Sequence, residues 1–227
     1  MTSPGRRLIG VDGLDGSGKS VLADRLVAAL GAAGTAAVLL RVDDFRRPID
    51  WARAGSAEAD IYYEDYYDLA LLEHGARAFL DGAPGIELPL FDSRSERHQG
   101  RRAISFGDAA LVVVEGVFAQ RVAAVRQAAV VYIETSRDEA RRRILARDTA
   151  RGRTVADVAH RIDARYFPAQ DRYLRECDPA VNAAALVVHE RVGAPALVRA
   201  DSARLGAGVT AALRRALGSF ARPGPVG

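Results

Sequence analysis

Along the chain, short uninterrupted apolar runs alternate with longer stretches whose apolar positions recur every three or four residues. The runs at 8–11, 37–42, 110–114, 130–134 and 186–189 predict strands, and the stretches at 67–80, 118–127, 137–147, 155–175 and 202–217 predict helices. Pro168 should kink or divide the long helix at 155–175. Strands that take turns with helices argue an α/β fold, a doubly wound five-stranded parallel sheet with helices on both faces. Two shorter segments, 87–91 and 101–106, flank a charged turn and predict a small β-hairpin outside the main sheet. No repeat or low-complexity linker divides the chain. Residues 1–227 therefore read as one domain, with a loose tail at 221–227.

The first strand and the first helix enclose the strongest chemical signal. Gly13-Leu14-Asp15-Gly16-Ser17-Gly18-Lys19-Ser20 is a full GxxxxGK[ST] phosphate-binding loop in its required strand–loop–helix setting. Its glycines let backbone N–H groups turn toward an anion, and the following helix adds partial positive charge. Lys19 can reach the β- and γ-phosphates, and Ser20 can hold Mg²⁺. The nucleotide-binding set is thus Gly13, Asp15, Gly16, Ser17, Gly18, Lys19, Ser20 and Val21. Such a loop makes the protein a P-loop NTPase but does not name the phosphate acceptor, because switch GTPases, motor ATPases and small-molecule kinases share it.

Composition sharpens this reading. Lys19 is the only lysine among 32 basic residues, so arginine serves everywhere except where a compact ammonium must fit between phosphate oxygens. Against 29 acidic residues the net charge is only +3, which demands no nucleic-acid partner. No apolar run approaches the roughly 20 residues needed to cross a bilayer, and no signal peptide opens the sequence, so a soluble cytoplasmic protein is expected. The single cysteine, Cys177, excludes an internal disulfide or a thiolate metal cluster. His74, His160 and His189 show no metal-ligand spacing. A lone lysine already used in the loop also excludes the [NT]KxD guanine-reading motif.

Three further groups sit at strand ends, where an open parallel sheet collects its ligands. Asp43 and Asp44 follow the second strand; either they cap a turn or one of them accepts or orients a hydroxyl proton. Glu115 ends the apolar run 111–114 and points to Mg²⁺ and its waters beside the phosphate loop. The arginine series holds Arg141 and Arg142, read as a solvated helix face, together with Arg143, Arg147, Arg151 and Arg153. The last three fall where the helix gives way to a loop bearing Gly152, so a lid at 148–155 could carry guanidinium groups onto a transferring phosphoryl. The stretch 60–68 places four of the seven tyrosines among acids, an acceptor wall or simply the start of an amphipathic helix. Trp51 nearby covers a pocket or fills a loop.

Gly10-Val11-Asp12-Gly13, Val42-Asp43-Asp44-Phe45, Pro89-Leu90-Phe91-Asp92, Val114-Glu115-Gly116, Arg147-Asp148, Arg151-Gly152-Arg153 and Arg165-Tyr166 stand in an order and spacing that resembles the uridine kinase and phosphoribulokinase family. The resemblance spans roughly residues 7–190 and implies a kinase with ATP and Mg²⁺ as cofactors, and an acceptor-binding insertion at about 44–106. It implies Asp43 as general base rather than Asp44, and Glu115 as a magnesium-side carboxylate. It also implies that Lys19, Arg147 and Arg153 are catalytic and that Arg143, Arg147 and Arg151 face the nucleotide. The acceptor set it implies is Asp43, Phe45, Tyr62, Asp65, Phe91, Arg94, Glu96, His98 and Arg153. Uridine kinases typically carry a base-reading tyrosine and histidine in the hairpin; here Phe91 and Glu96 stand in those places, with His98 two residues on. A phenyl ring can stack but cannot donate.

The expected partner is a small hydroxyl-bearing acceptor, a pyrimidine nucleoside first, with pantothenate, a sugar phosphate, glycerate or a nicotinamide nucleoside as alternatives. Acid acceptors should depend on Arg94 or Arg97, a nucleoside on the tyrosine segment. A nucleotide-dependent regulatory ATPase is the alternative from another class. A homo-oligomer is compatible with the sequence; neither nucleic acid nor membrane is expected.

Overall fold

A six-stranded sheet runs through the computed structural model, which describes residues 5–53, 55, 57–191 and 194–221. The first half of the chain forms β1 (Arg7–Gly13), α1 (Lys19–Ala32), β2 (Ala37–Arg41), α2 (Glu58–Glu64), α3 (Leu69–Leu80), β3 (Gly85–Asp92) and β4 (Arg97–Ser105). The second half adds β5 (Leu111–Gly116), α4 (Ala123–Gln127), β6 (Ala129–Glu134), α5 (Arg137–Ala150), α6 (Val155–His160), α7 (Phe167–Cys177) and α8 (Pro179–Asn182). It closes with β7 (Ala185–Val188), β8 (Ala196–Ala200), α9 (Ser202–Leu205) and α10 (Ala207–Gly218).

Strand order is β2-β5-β1-β6-β7-β8, and the first five strands are parallel. The five expected strands therefore form the parallel sheet, and β8 extends it as an antiparallel edge on β7. That sixth strand escaped the sequence reading because it is short and largely exposed, with Val198 at 62% accessibility, so its side chains carry no burial pattern.

The apolar runs are continuous because both faces of the sheet are covered. Along β5, Val112 and Val114 pack into one core with Phe79, Phe106 and Phe118, while Leu111 and Val113 pack into the other with Leu22, Leu26 and Leu213. Each such side chain taken fully from water contributes roughly 1.5–3 kcal/mol. The α1–α10 face is the simpler core; the opposite face carries α2, α3 and α7, and α2 gives Tyr62 to the cleft.

Three elements differ from expectation in ways that shape the site. Residues 58–64 form a separate helix, α2, and α3 starts at Leu69 rather than at Tyr67, because the Asp68 carboxylate caps it by accepting from Leu71 N at 2.9 Å. The long helix at 155–175 divides as Pro168 requires. Between α6 and α7, residues Arg161–Tyr166 form a π-helical turn, closed by Phe167 N donating to Ile162 O. The hairpin β3–β4 is longer than expected and stands apart as its own two-stranded sheet. The tail expected beyond Ala221 lies outside the described residues.

Candidate active site

The C-terminal ends of β1, β2 and β5 converge on one cleft. Gly16 (φ 79°) and Gly18 (φ 93°) both take the left-handed conformation that brings the loop's amides round, and α1 begins at Lys19 with no side-chain cap on its N-terminus. A Cβ on Gly16 would lie 2.7 Å from Ala140 O, and one on Gly18 would lie 2.7 Å from His189 Nδ1. The loop is thus clamped from behind. Arg143 donates to Gly16 O and Ser17 O at 3.2 and 3.3 Å, and His189 Nδ1 lies 2.8 Å from Ser17 O. Burial, reinforced by Arg143, pushes the His189 pKa down, so the ring is neutral beneath the loop. With the uncapped helix N-terminus and an unpartnered buried Ser17 hydroxyl, the cradle fits a chain of phosphates.

Lys19 Nζ lies 3.4 Å from Leu14 O and 3.7 Å from Asp15 Oδ1, its side chain 11% exposed. Ser20 Oγ donates to Glu115 Oε1 at 2.9 Å, so the hydroxyl and carboxylate suited to a hard cation are already adjacent. Arg41 holds the other Glu115 oxygen at 3.3 Å and reaches Asp24 at 2.5 Å. Burial raises the Glu115 pKa above its ordinary value, against the opposing pull of Lys19 and Ser20.

The paired acids after β2 separate by partner. Asp44 is tied to Arg102 of the hairpin at 2.7 Å, whereas Asp43 is open to the cleft with its side chain 62% accessible. Asp43 accepts from Arg46 and from the Tyr67 hydroxyl, each at 3.1 Å. Its surroundings desolvate it, which alone would raise its pKa, but Arg46 and Lys19 outweigh that and hold it below the usual carboxylate range.

A cleft of about 470 Å³ opens beside Asp43; Asp15, Asp43, Tyr62, Phe91, Glu96, Arg147, Arg151 and Arg153 all line it. Arg147 and Arg153 share the buried Asp148 carboxylate at 2.7 and 3.4 Å, which poises them at the base of the loop between α5 and α6. Asp15 stands between Lys19 and the acceptor half: one oxygen accepts from Tyr62 at 2.8 Å and from Gln170 at 2.7 Å, and the other lies 3.7 Å from Lys19 Nζ. Glu96 sits in the hairpin turn with φ 51°.

Four residues of the expected acceptor set stay out of the cleft. Phe45 is 2% exposed in the core, because its ring completes the packing of β2 on the hairpin side. Asp65 is exposed at the end of α2, and Arg94 is exposed on the hairpin turn, where the Asp92 carboxylate accepts from its backbone. His98 spends Nε2 on Arg46 O at 2.8 Å, so it steadies the chain beside Asp43 instead of lining the cleft. Arg97 also lies exposed on β4, which removes both arginines expected to read an acid. Val21 is 46% exposed on α1.

Other residues come forward to which the sequence reading gave no role in the site. Asp12, fully buried at the end of β1, accepts from Gly13 N at 2.7 Å, Gln120 Nε2 at 2.9 Å and the Tyr173 hydroxyl. It anchors the phosphate loop to α7 and to the turn after β5. Burial raises its pKa although all three donors and Lys19 oppose it. An acid inside a buried strand was the available signal, since such a group must find donors. Arg46, Arg47, Trp51, Tyr66, Tyr67, Arg161 and Tyr166 also line the cleft; of these, the tertiary fold alone brings Arg161 to the wall.

Comparison with known proteins agrees with the architecture. A model of the family described as phosphoribulokinase / uridine kinase matches residues 8–194. A solved structure of a possible uridine kinase from Bacillus stearothermophilus superposes with a TM-score of 0.61 at 26% identity, covering 82% of this chain and 90% of that one. A candidate fructose transport system kinase from Silicibacter sp. TM1040 gives 0.58 at 21% identity over 77% and 87% of the two chains. The YGR205w protein gives 0.58 at 15% identity over 81% and 84%; these last two likenesses speak for the fold alone.

Proposed function

The chain belongs to the phosphoribulokinase / uridine kinase family, and from that premise we propose that it is an ATP- and Mg²⁺-dependent kinase that transfers the terminal phosphoryl group to a hydroxyl of a small molecule seated above Asp43. One observation carries the reading: a cleft-exposed carboxylate at the end of β2 shares a single cavity with the phosphate-loop residue Asp15 and the lid arginines.

In this reading the loop amides and Lys19 hold the triphosphate, and Ser20 with Glu115 holds the metal. Bound Mg²⁺ supplies charge neutralisation across the β- and γ-phosphates. Asp43, kept ionised by Arg46 and Lys19, accepts a hydrogen bond from the acceptor hydroxyl and fixes its line of attack. A loose phosphoryl-transfer transition state asks for positioning more than for a strong base, so a depressed pKa suits the role. Arg147 and Arg153, both held on Asp148, meet the charge on the transferring group.

Acceptor identity rests on the other wall. Trp51, Tyr66, Phe91 and Tyr166 offer ring surfaces over the buried Tyr62 and Tyr67, which suits a nucleoside. At the hairpin places of the base-reading tyrosine and histidine stand Phe91, which cannot donate, and Glu96, while the nearby His98 is spent on a backbone carbonyl.

A coupled ADP-release screen against nucleosides, vitamins and sugar acids or phosphates tests the reading. Asp43→Asn is expected to lower turnover of the best acceptor by about 10²–10⁴-fold while ATP still binds. Unimpaired turnover in that variant would refute the assignment.

A further inference from the structure

A carboxylate is an awkward neighbour for a phosphate site, yet Asp15 stands inside the loop itself, one helical turn in sequence before the ammonium that the phosphates need. The Asp15 side chain is 14% exposed and that of Lys19 is 11% exposed, so water screens the two charges weakly. A direct ion pair in that setting would be strong. It would occupy one of the three Lys19 donors, and an arriving triphosphate would have to break it.

The observed separation avoids that contact. Asp15 Oδ1 lies 3.7 Å from Lys19 Nζ, near enough to offset its charge but beyond the roughly 2.7–2.9 Å of a charge-assisted hydrogen bond. The other oxygen explains the distance. Asp15 Oδ2 accepts from the Tyr62 hydroxyl at 2.8 Å and from Gln170 Nε2 at 2.7 Å, so donors from α2 and α7 together fix the rotation of the carboxyl group.

Both donors are dependable. Tyr62 is buried, and burial together with the Asp15 charge holds its phenol well above the ordinary pKa, so the hydroxyl keeps its proton. Gln170 is fully buried, and a carboxylate can only accept, so the amide nitrogen must be the atom that faces Asp15. Its Oε1 finds no donor among the described residues, a cost that an apolar side chain of the same shape would not incur. One turn further along α7, the buried Tyr173 donates to Asp12, the residue just before Gly13. Residues three apart share a helix face, so one edge of α7 meets the loop at both Asp12 and Asp15. Gln170 does not line the cleft, and it acts on a bound nucleotide through Asp15 rather than by contact.

Resting on the nucleotide-binding part of the kinase reading, we infer that Gln170 is a positioning residue of the phosphate loop: with Tyr62 it holds the Asp15 carboxylate back from Lys19, so that the ammonium stays free for phosphate.

A double-mutant cycle on the full chain tests this, with binding of the β,γ-imido analogue of ATP and Mg²⁺ measured by calorimetry. Gln170→Met keeps the length of the side chain and removes its donor. It should weaken the analogue about tenfold, the worth of a hydrogen bond to a charged group. Asp15→Asn takes a competing charge away from Lys19 and from Arg147, which feels the same carboxylate, and should bind the analogue at least as tightly as the wild type. In that background Gln170→Met should change affinity by less than about twofold, because the charge it restrains is gone. If Gln170→Met does not fold, Tyr62→Phe removes the other donor and should show the same dependence on Asp15. Equal losses in the two backgrounds would make Gln170 a packing residue and overturn the inference, as would no loss in either. Weaker binding by Asp15→Asn than by the wild type would also overturn it, since the carboxylate would then be helping the nucleotide. A wild-type protein that binds no analogue would remove both the inference and the nucleotide reading beneath it.

Discussion

Two carboxylates that both feel the Lys19 ammonium titrate in opposite directions. Burial dominates at Glu115 and raises its pKa above the ordinary 4.5, whereas at Asp43 the same penalty is overcome by Arg46 and Lys19, which pull it below 3.8. As pH falls, Glu115 takes up its proton first and Asp43 stays ionised. The linked stability follows the same signs. Asp43 stabilises the fold above its unfolded pKa and loses that contribution as pH drops through its folded value; the contribution of Glu115 is full below its unfolded pKa and is lost as pH rises through its folded one. If Ser20 and Glu115 hold Mg²⁺ as proposed, the acid limb of activity should therefore belong to Glu115. Mg²⁺ titrations of turnover should show apparent affinity falling about tenfold per pH unit below the Glu115 pKa. Glu115→Gln should bind Mg²⁺ weakly and show no such slope; an identical slope in that variant would move the limb to another group.

At the scale of elements, the phosphate loop is held between α1, α5 and the end of β7, and its conformation depends on side chains far along the chain. Gly18 combines a left-handed φ of 93° with a Cβ position 2.7 Å from His189, so alanine there is both strained and crowded. Gly18→Ala is expected to cost about 1–3 kcal/mol in urea unfolding and to weaken ATP binding, because the ring of His189 must shift and drag Ser17 with it. Wild-type affinity in a normally folded Gly18→Ala protein would mean that the loop does not depend on this contact. Most elements were readable because each is fixed by a local cause: apolar runs for β1, β2 and β5–β7, spaced apolar positions for α1 and α10, Pro168 for the break before α7. The exceptions, α2 and β8, take their form from what they pack against. α2 buries Tyr62 and Tyr63 against Phe118, and β8 borrows its ladder from β7.

Across the whole molecule, the cleft is a junction of segments distant in sequence: Asp15 bridges the loop, α2 and α7, and Asp12 ties β1 to Gln120 and Tyr173. Nucleotide binding should accordingly stabilise the entire fold. At an ATP·Mg²⁺ concentration about 100 times Kd the gain is about 2.7 kcal/mol, a rise in Tm of roughly 5–10 °C for a chain of this size, and Lys19→Ala should abolish it. A full rise in that variant would place the nucleotide elsewhere. The sequence by itself determined the α/β sheet, the phosphate loop with its single lysine, and the carboxylates at the ends of β2 and β5, because periodicity and strand-end position are local properties of a chain. Only the tertiary structure showed that Asp43 opens into the cleft while Asp44 pairs with Arg102, and placed Phe45, Asp65, Arg94 and His98 outside the cleft lining. Charge and residue type are written along the chain, but which groups find partners depends on segments that folding brings together, as Arg102 is brought to Asp44 and Gln120 to Asp12.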